Sequence, residues 1–283
     1  MKALRNKNLT ALACLLLWML PLVAQENAAQ EAVFNAHWLK HEYQVYVLHY
    51  QSYSLQKCDT IDTESLRCSA DVMVQDSSYR AYRMEWRFGD FQYQGKHYLS
   101  KRWLASLKDV RLSCQASPHG LLQEIKDPEA LRRALDESID DLFKHYEGLP
   151  ELADRERLYR LREEVEAWLL SSLYHFYKNY GLAYRMGEVV QVPDKMALDQ
   201  QAFDMTRYKK LENYADNIAT LVTATVPTTT IYAKDSLPMQ MENTSAMMMH
   251  IPSGWPVYTY DHLEYGVADN KEGILNEITL KQE

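Results

Sequence analysis

The residues best suited to metal chemistry in this 283-residue chain form a sulfur-rich group near its C-terminal end. Met247, Met249 and His250 lie close together, and thioether sulfur and imidazole nitrogen are ligands that Cu(I) favours. Because consecutive residues of a strand point to opposite sides, neighbours in this run cannot all converge on one ion. We therefore expect packed core methionines, and these three residues are the metal candidates of the alternative. No cofactor is predicted.

Aromatic side chains form the second candidate group. Trp86, Phe88 and Tyr93 lie on predicted strands, and Trp168 and Phe176 lie on the apolar stripe of a predicted helix. Exposed rings of this kind stack on sugars or line an apolar cavity, whereas buried rings form the core. Core packing is the competing expectation, and the five residues are our candidate ligand-binding residues.

Catalytic motifs are missing from the sequence. It contains no His-Glu-x-x-His, no Cys-x-x-Cys and no Gly-x-Ser-x-Gly pattern. The nearest feature, Pro252-Ser253-Gly254, lacks the strand–serine–helix context of a nucleophile elbow. We therefore predict that the protein is not an enzyme, and a hydrolase of envelope polymers is the least favoured alternative.

The N-terminal segment has the pattern of an export signal. Lys2, Arg5 and Lys7 precede the largely apolar run Leu9–Val23, and Ala24 is a small residue at the expected cut. The run is short for a membrane span, which needs roughly 20 residues. A retained anchor or a lipoprotein signal is the alternative. Export predicts a periplasmic, outer-membrane-associated or secreted protein without a transmembrane segment in the mature chain.

Three cysteines follow the proposed signal, and an exported chain permits disulfides. Cys58 and Cys68 flank a turn-like stretch, so we predict a disulfide between them. A Cys68–Cys114 bond and three unpaired thiols are the alternatives.

The charge balance excludes one class of partner. The chain has a net charge of −8, and removal of the three basic residues in the signal makes the mature part more acidic. Nucleic acid is therefore not an expected partner. The 9 glycines and 9 prolines argue against low complexity and leave no glycine-rich phosphate loop.

The order of predicted elements is strands, a helix pair, then strands. Apolar residues alternate with polar ones in short runs from about residue 42, as in an antiparallel meander. Asp127-Pro128-Glu129 predicts a helix start, since aspartate caps and proline fits the first turn. Two helices at 128–181 joined by a short loop predict an antiparallel hairpin. The predicted division is a signal at 1–24, a polar leader at 25–40 and one β-rich domain at 41–283.

The predicted fold class is mainly β with a helical insertion, α+β. We expect a curved antiparallel sheet or open barrel of about ten strands, with the helix hairpin across its face or mouth. A β-sandwich with a helical insertion is the second choice. At fold level this arrangement resembles the envelope lipoprotein-carrier and lipocalin-like families.

The predicted function is that of an exported binding protein. An apolar helix stripe laid over a curved sheet can seal a pocket for an apolar small molecule or a glycan. The alternative is a structural or accessory protein of a cell-surface assembly, with an envelope protein as its partner.

Overall fold

The computed structural model describes residues 30–57, 59–145, 152–198, 201–232 and 237–281. The proposed signal, Cys58 and the helix stop predicted at Gly148-Leu149-Pro150 lie outside the described residues. Among the helices of the described ranges, none is long and apolar enough to cross a membrane.

Strands make up most of the described chain. They are β1 (Glu31–Phe34), β2 (Tyr43–Gln56), β3 (Asp59–Ser77), β4 (Tyr82–Gln94), β5 (Val110–Ala116), β6 (Leu122–Lys126), β7 (Leu182–Arg185), β8 (Val189–Leu198), β9 (Gln201–Ala215), β10 (Ile218–Pro227), β11 (Ile231–Tyr232), β12 (Pro238–His250), β13 (Trp255–Val267) and β14 (Asn270–Leu280). The helices are α1 (Tyr98–Ser106), α2 (Pro128–Lys144) and α3 (Leu152–Tyr177).

One large antiparallel sheet runs through both halves of the chain. Its 12 strands follow the order β6-β5-β4-β3-β2-β14-β13-β12-β10-β9-β8, with β11 beside β12. The two meanders meet where β2 pairs with β14, from Tyr46 opposite Leu280 to Gln56 opposite Asn270. Since β6 and β8 are the ends of this order, the sheet is not closed. The predicted α+β class, a curved antiparallel sheet with helices inserted mid-chain, is confirmed.

The helix hairpin begins as its sequence predicts. The Asp127 carboxylate accepts a hydrogen bond from the Ala130 amide at 3.1 Å, and Pro128 occupies the first turn. Glu129 adds a negative charge where the helix dipole favours one. The alternating pattern also predicts strand through Phe91–Ser100, and there the structure differs. β4 ends at Gln94, and residues 98–106 form α1.

The reason for α1 lies in its apolar spacing. Leu99, Trp103 and Leu107 recur every four residues and pack toward the core, which is helical periodicity. The Trp103 indole donates to the Ser138 hydroxyl at 2.7 Å, which joins α1 to α2.

Residues 30–40 differ from the expected polar leader. β1 pairs with β7, and the alternate side chains Ala32, Phe34, Ala36 and Trp38 are all at most 4% exposed. We call residues 30–42 the N-terminal strap. Its period-two apolar pattern is the signal of a half-buried extended segment.

The main core lies between the helices and one side of the sheet, which we call the inner face. Trp38 is at its centre, with ring centroids 5.0 Å from Trp255, 5.2 Å from Tyr180 and 6.1 Å from Tyr177. The Trp38 indole also donates to the Gly254 carbonyl at 3.2 Å. The strap is therefore bound to the turn between β12 and β13.

Gly254 allows this close approach of two backbones. It has φ +68°, and a Cβ there would lie 2.3 Å from the Asn35 carbonyl oxygen and 2.9 Å from the Ala36 Cα. Gly187 has a similar φ of +81°, but a Cβ there would meet nothing within 4 Å. The two glycines thus share the left-handed conformation, and only Gly254 has the steric constraint.

We predict that Gly254→Ala destabilises the protein much more than Gly187→Ala. Left-handed backbone costs an alanine about 1–2 kcal/mol, and this applies to both variants. At Gly254 the strap must also shift to make room for the Cβ. We therefore expect the free energy of unfolding of this variant to fall by more than about 3 kcal/mol. Denaturant unfolding of both variants measures the difference. Equal losses would show that the strap does not depend on the approach at Gly254.

Candidate ligand site on the inner face of the sheet

The predicted aromatic candidates lie mostly in the main core. Trp86 and Phe88 on β4 and Phe176 on α3 are each 0% exposed, and Trp168 is 3% exposed. The Trp86 and Phe176 rings meet edge-on at 4.9 Å, and Trp168 lies 6.2 Å from Tyr50. The structure therefore brings Trp86, Phe88 and Phe176 together as packing between sheet and helix.

Tyr93 has different surroundings. Its hydroxyl donates to Glu64 at 2.9 Å. The residue lines a small pocket of about 190 Å³ together with Arg157 and Arg160. Burial, followed by the hydrogen bond to Glu64, raises the pKa of Tyr93 to about 12.

The sulfur-rich residues separate onto two faces of β12. Met247 and Met249 are on the inner face at 1% and 0% exposure, as packed core residues. His250 is on the other face, where its Nδ1 lies 2.8 Å from the Ser253 hydroxyl. The described residues contain no group of three histidine, cysteine or acidic side chains arranged to hold a metal. Cys68 and Cys114 are free buried thiols, and the predicted partner Cys58 lies outside the described ranges.

The His250–Ser253 contact belongs to a turn. The Ser253 hydroxyl also lies 3.4 Å from the His250 carbonyl and 3.4 Å from the Trp255 amide. These bonds close the tight connection from β12 to β13, as serine does in many turns.

The inner face changes its chemistry along the strands of the second half. On β12 it runs from Met249 and Met247 through Ser245 and Asn243 to Met241 and Met239, by the alternation of the strand. On β10, Ala219 and Leu221 give way to Thr223 and Thr225, which are buried at 8% and 1% exposure. Buried hydroxyl and amide groups require hydrogen-bond partners. The inner face thus carries a polar band beyond the main core.

This polar band lines a cavity of about 290 Å³ beside the C-terminal end of α3. We call it the polar cavity. Two ion pairs cross it: Lys178 lies 3.0 Å from Asp261, and Arg207 pairs with Asp194. Its lining is Tyr174, His175, Lys178, Asn179, Asp194, Lys195, Met196, Arg207, Lys209, Thr223, Thr225, Asn243, Ser245 and Asp261.

Lys209 on β9 is the least compensated charge of the polar cavity. It is 7% exposed, and its ammonium donates to the Asn179 side-chain oxygen at 3.1 Å and to the Tyr184 hydroxyl at 3.2 Å. Among the described residues, no carboxylate lies within ion-pair distance of it. Burial, together with Arg207 and Lys178, lowers the pKa of Lys209 to about 8.

His175 enters the same cavity from α3 as a neutral side chain. Burial, and then the nearby Lys178 charge, lowers its pKa to about 4. Its Nδ1 is buried without a hydrogen-bond partner in the described structure. An unpaired buried nitrogen is costly, so it marks a position where a ligand atom or water is favoured.

Asp261 pairs with Lys178 in the same cavity. Burial alone would raise the pKa of Asp261, but the charge of Lys178 and hydrogen bonds from Lys178 and Asn243 lower it below the usual value. The carboxylate is therefore ionised and paired at neutral pH.

A second apolar cluster lies beyond the polar cavity on the same inner face. Its buried members are Met205, Ile231 and Met241, and half-buried side chains pack around them: Met196, Phe203, Met239, Leu263 and Tyr265. We call this the methionine cluster. It is separate from the main core, and Met196 belongs both to it and to the wall of the polar cavity.

The sequence patterns do not predict this region. β9 is not recognised as a strand, because Arg207 and Lys209 occupy inner positions where a buried strand normally carries apolar residues. The available signal was the alternation of Phe203, Met205, Arg207, Lys209 and Leu211 with Asp204, Thr206, Tyr208 and Lys210.

Comparisons with known proteins assign the chain to no family. No protein-family model and no curated protein sequence matches the chain. A solved structure described as "Lipid-protein interactions in lipovitellin" is similar with a TM-score of 0.49 at 9% identity, over 86% of this chain and 25% of that chain. The chain thus spans about a quarter of that lipovitellin chain. A likeness at this level assigns neither a ligand nor a function.

We predict that His175 makes the fold sensitive to acid. The unfolded histidine titrates near 6.5 and the folded one near 4, so the unfolded state binds more protons between these values. Stability therefore falls as the pH drops from 6.5 toward 4, by up to about 2 kcal/mol at pH 5. His175→Gln removes this contribution.

Urea unfolding at pH 7 and pH 5 measures the effect. His119→Gln, at an exposed turn position, is the matched control. Its free energy of unfolding should fall between pH 7 and pH 5 by as much as that of the original protein. A His175→Gln variant that loses as much stability as the original protein would contradict the assignment.

Proposed function

We propose that the protein is an exported, non-enzymatic binding protein that takes an apolar ligand at the methionine cluster. The carrying observation is that a half-buried apolar surface continues from the polar cavity along the inner face, apart from the main core. Flexible thioether side chains adapt their packing to a variable apolar partner.

The border between the two regions supports one continuous binding surface. Four strands each change from polar to apolar along the inner face. The border is staggered by one residue pair, because Asn243 lies opposite Leu263 and Asp194 lies opposite Met205. The paired positions are Asp194 and Met196 on β8, Arg207 and Met205 on β9, Asn243 and Met241 on β12, and Asp261 and Leu263 on β13. Residues two apart on a strand are about 7 Å apart, so each pair bridges the border directly.

This arrangement favours an amphiphilic ligand over a fully apolar one. A ligand with a chain on the methionine cluster and a polar head toward the cavity would satisfy both surfaces. The proposed site differs from the one predicted from the aromatic residues. Packed aromatic rings fill the interface between helix and sheet, and the proposed ligand lies beyond that interface. The binding surface comes from the second half of the sheet.

Export remains part of the proposal and rests on the N-terminal sequence. Lys2, Arg5 and Lys7 before the apolar run Leu9–Val23 are typical of a secretory signal. Periplasmic, outer-membrane-associated and secreted locations are all consistent with that signal.

We predict that Leu263→Ala weakens binding of decanol by about tenfold. Loss of the leucine methyl and methylene groups removes apolar contact worth about 0.8 kcal/mol per buried carbon, of which part is expected at a half-buried position. Isothermal titration calorimetry with decanol measures the affinity of the full chain after signal removal.

Leu275→Ala is the matched control for this experiment. Leu275 is also half-buried and lies on the adjacent strand β14, but alternation places it on the opposite face, paired with His262. It should leave decanol binding unchanged. The proposal fails if decanol does not bind the original protein, or if the two variants weaken it equally.

We also predict cleavage of the N-terminal segment during export. N-terminal sequencing of protein isolated from the cell envelope or medium should begin near Gln25, within a residue or two. Recovery of the intact Met1 terminus from that material would contradict a cleavable signal.

A further inference from the structure

The polar cavity carries one more positive charge than negative. Its buried or half-buried cations are Lys178, Arg207 and Lys209, and its carboxylates are Asp194 and Asp261. The remaining lining cation, Lys195, has a 78% exposed side chain and lies 4.0 Å from Asp204. Since the two carboxylates already pair with Lys178 and Arg207, the excess charge is that of Lys209.

The ammonium of Lys209 is held in position by neutral groups. Asn179 and Tyr184 accept hydrogen bonds from two of its three N–H groups, and neither supplies a negative charge. Asn179 is itself 2% exposed and contacts the Met247 sulfur at 3.9 Å. A buried, positioned cation without an anion is costly, and a bound anion removes that cost.

Two further observations point to a ligand in this cavity. His175 lines the cavity, and its buried Nδ1 has no hydrogen-bond partner among the described residues; as a neutral ring it can donate a hydrogen bond from that atom. The volume of about 290 Å³ exceeds what the head of a small organic acid needs. A charge-assisted bond from an ammonium to a carboxylate is among the strong hydrogen bonds of proteins.

From this geometry we infer that the polar cavity binds a single carboxylate, with Lys209 as the cation that recognises it and His175 as a second donor. The excess of one positive charge fits a monoanion better than a dianionic phosphate. Together with the proposed function, on which this inference rests, the ligand is a long-chain carboxylic acid. Its carboxylate head lies at Lys209 and its chain lies on the methionine cluster.

The test compares decanoate, decanol and acetate as calorimetric ligands. The full chain after signal removal should bind decanoate at least about tenfold more tightly than decanol at pH 7, because only decanoate pairs with Lys209. Lys209→Gln should abolish this preference, so that the variant binds decanoate no more tightly than it binds decanol.

Lys210→Gln is the matched control. Lys210 is the next residue on β9, lies on the opposite face and pairs with Glu212 at 2.8 Å. It should retain the full preference for decanoate. Circular dichroism and an unfolding curve for each variant confirm that the comparison uses folded protein.

A proton measurement on the unaltered protein gives an independent test. With a pKa of about 8, Lys209 is half protonated at pH 8 before binding, and a bound carboxylate raises that pKa. Decanoate should therefore bind with uptake of about half a proton, measured in buffers of different ionisation enthalpy. The other ionisable groups of the cavity are Tyr174 and His175 from α3, Lys178 from the turn after α3, Asp194 and Lys195 from β8, Arg207 from β9 and Asp261 from β13, with Tyr184 from β7 against Lys209.

The outcomes separate the two proposals. Equal affinity for decanoate and decanol, or equal effects of Lys209→Gln and Lys210→Gln, would overturn the carboxylate site and leave apolar binding intact. Acetate binding that Lys209→Gln abolishes, with no binding of decanol, would support the carboxylate site and refute the apolar one. Binding of no carboxylate at all would overturn the inference.

Discussion

The pairing of β2 with β14 is the constraint on which the rest of the structure depends. It joins residues at opposite ends of the described chain, Tyr46 with Leu280, and so makes one sheet from two meanders. The helices are inserted between those meanders, and the joint places α3 over the inner face of both. Trp168 of α3 contacts Tyr50 on β2, while Lys178 pairs with Asp261 on β13. Contacts so distant in sequence close large loops, so the main core forms only once both meanders are available.

The inner face of the joined sheet has two regions of different chemistry, an aromatic core and the polar cavity. Near the strap and the end of α3 it is an aromatic core in which Trp38, Phe176 and Trp255 fill the space between layers. Farther along the same strands it buries Lys209 and the neutral His175, each at a cost in solvation. A fold selected only for stability would place apolar side chains at both positions. Local rules of burial are broken mainly at functional sites, and here the breaks coincide with a cavity.

The sequence predicts the parts of this fold that depend on short-range patterns. The cap at Asp127, the helix hairpin and the alternating strands follow from spacing and propensity, and the open sheet follows from their order. The alternating pattern does not predict α1, because it extends the strand through Phe91–Ser100 and so over the first residues of the helix. The polar cavity could not be predicted, because its members come from α3, β8, β9, β10, β12 and β13 and meet only through pairing. Arg207 and Lys209 in particular have the pattern of a solvated strand until Asn179 and Tyr184 are placed beside them.

The positions of the tryptophans make intrinsic fluorescence a probe of the main core and not of the polar cavity. The five tryptophans of the described ranges, Trp38, Trp86, Trp103, Trp168 and Trp255, are each at most 3% exposed. They lie along the strap, the helices and the main core, and none lines the polar cavity. Their emission therefore reports the integrity of the core and shifts to longer wavelength when the fold is lost. Occupation of the cavity leaves these indoles in the same surroundings, so intrinsic fluorescence distinguishes unfolding from ligand release.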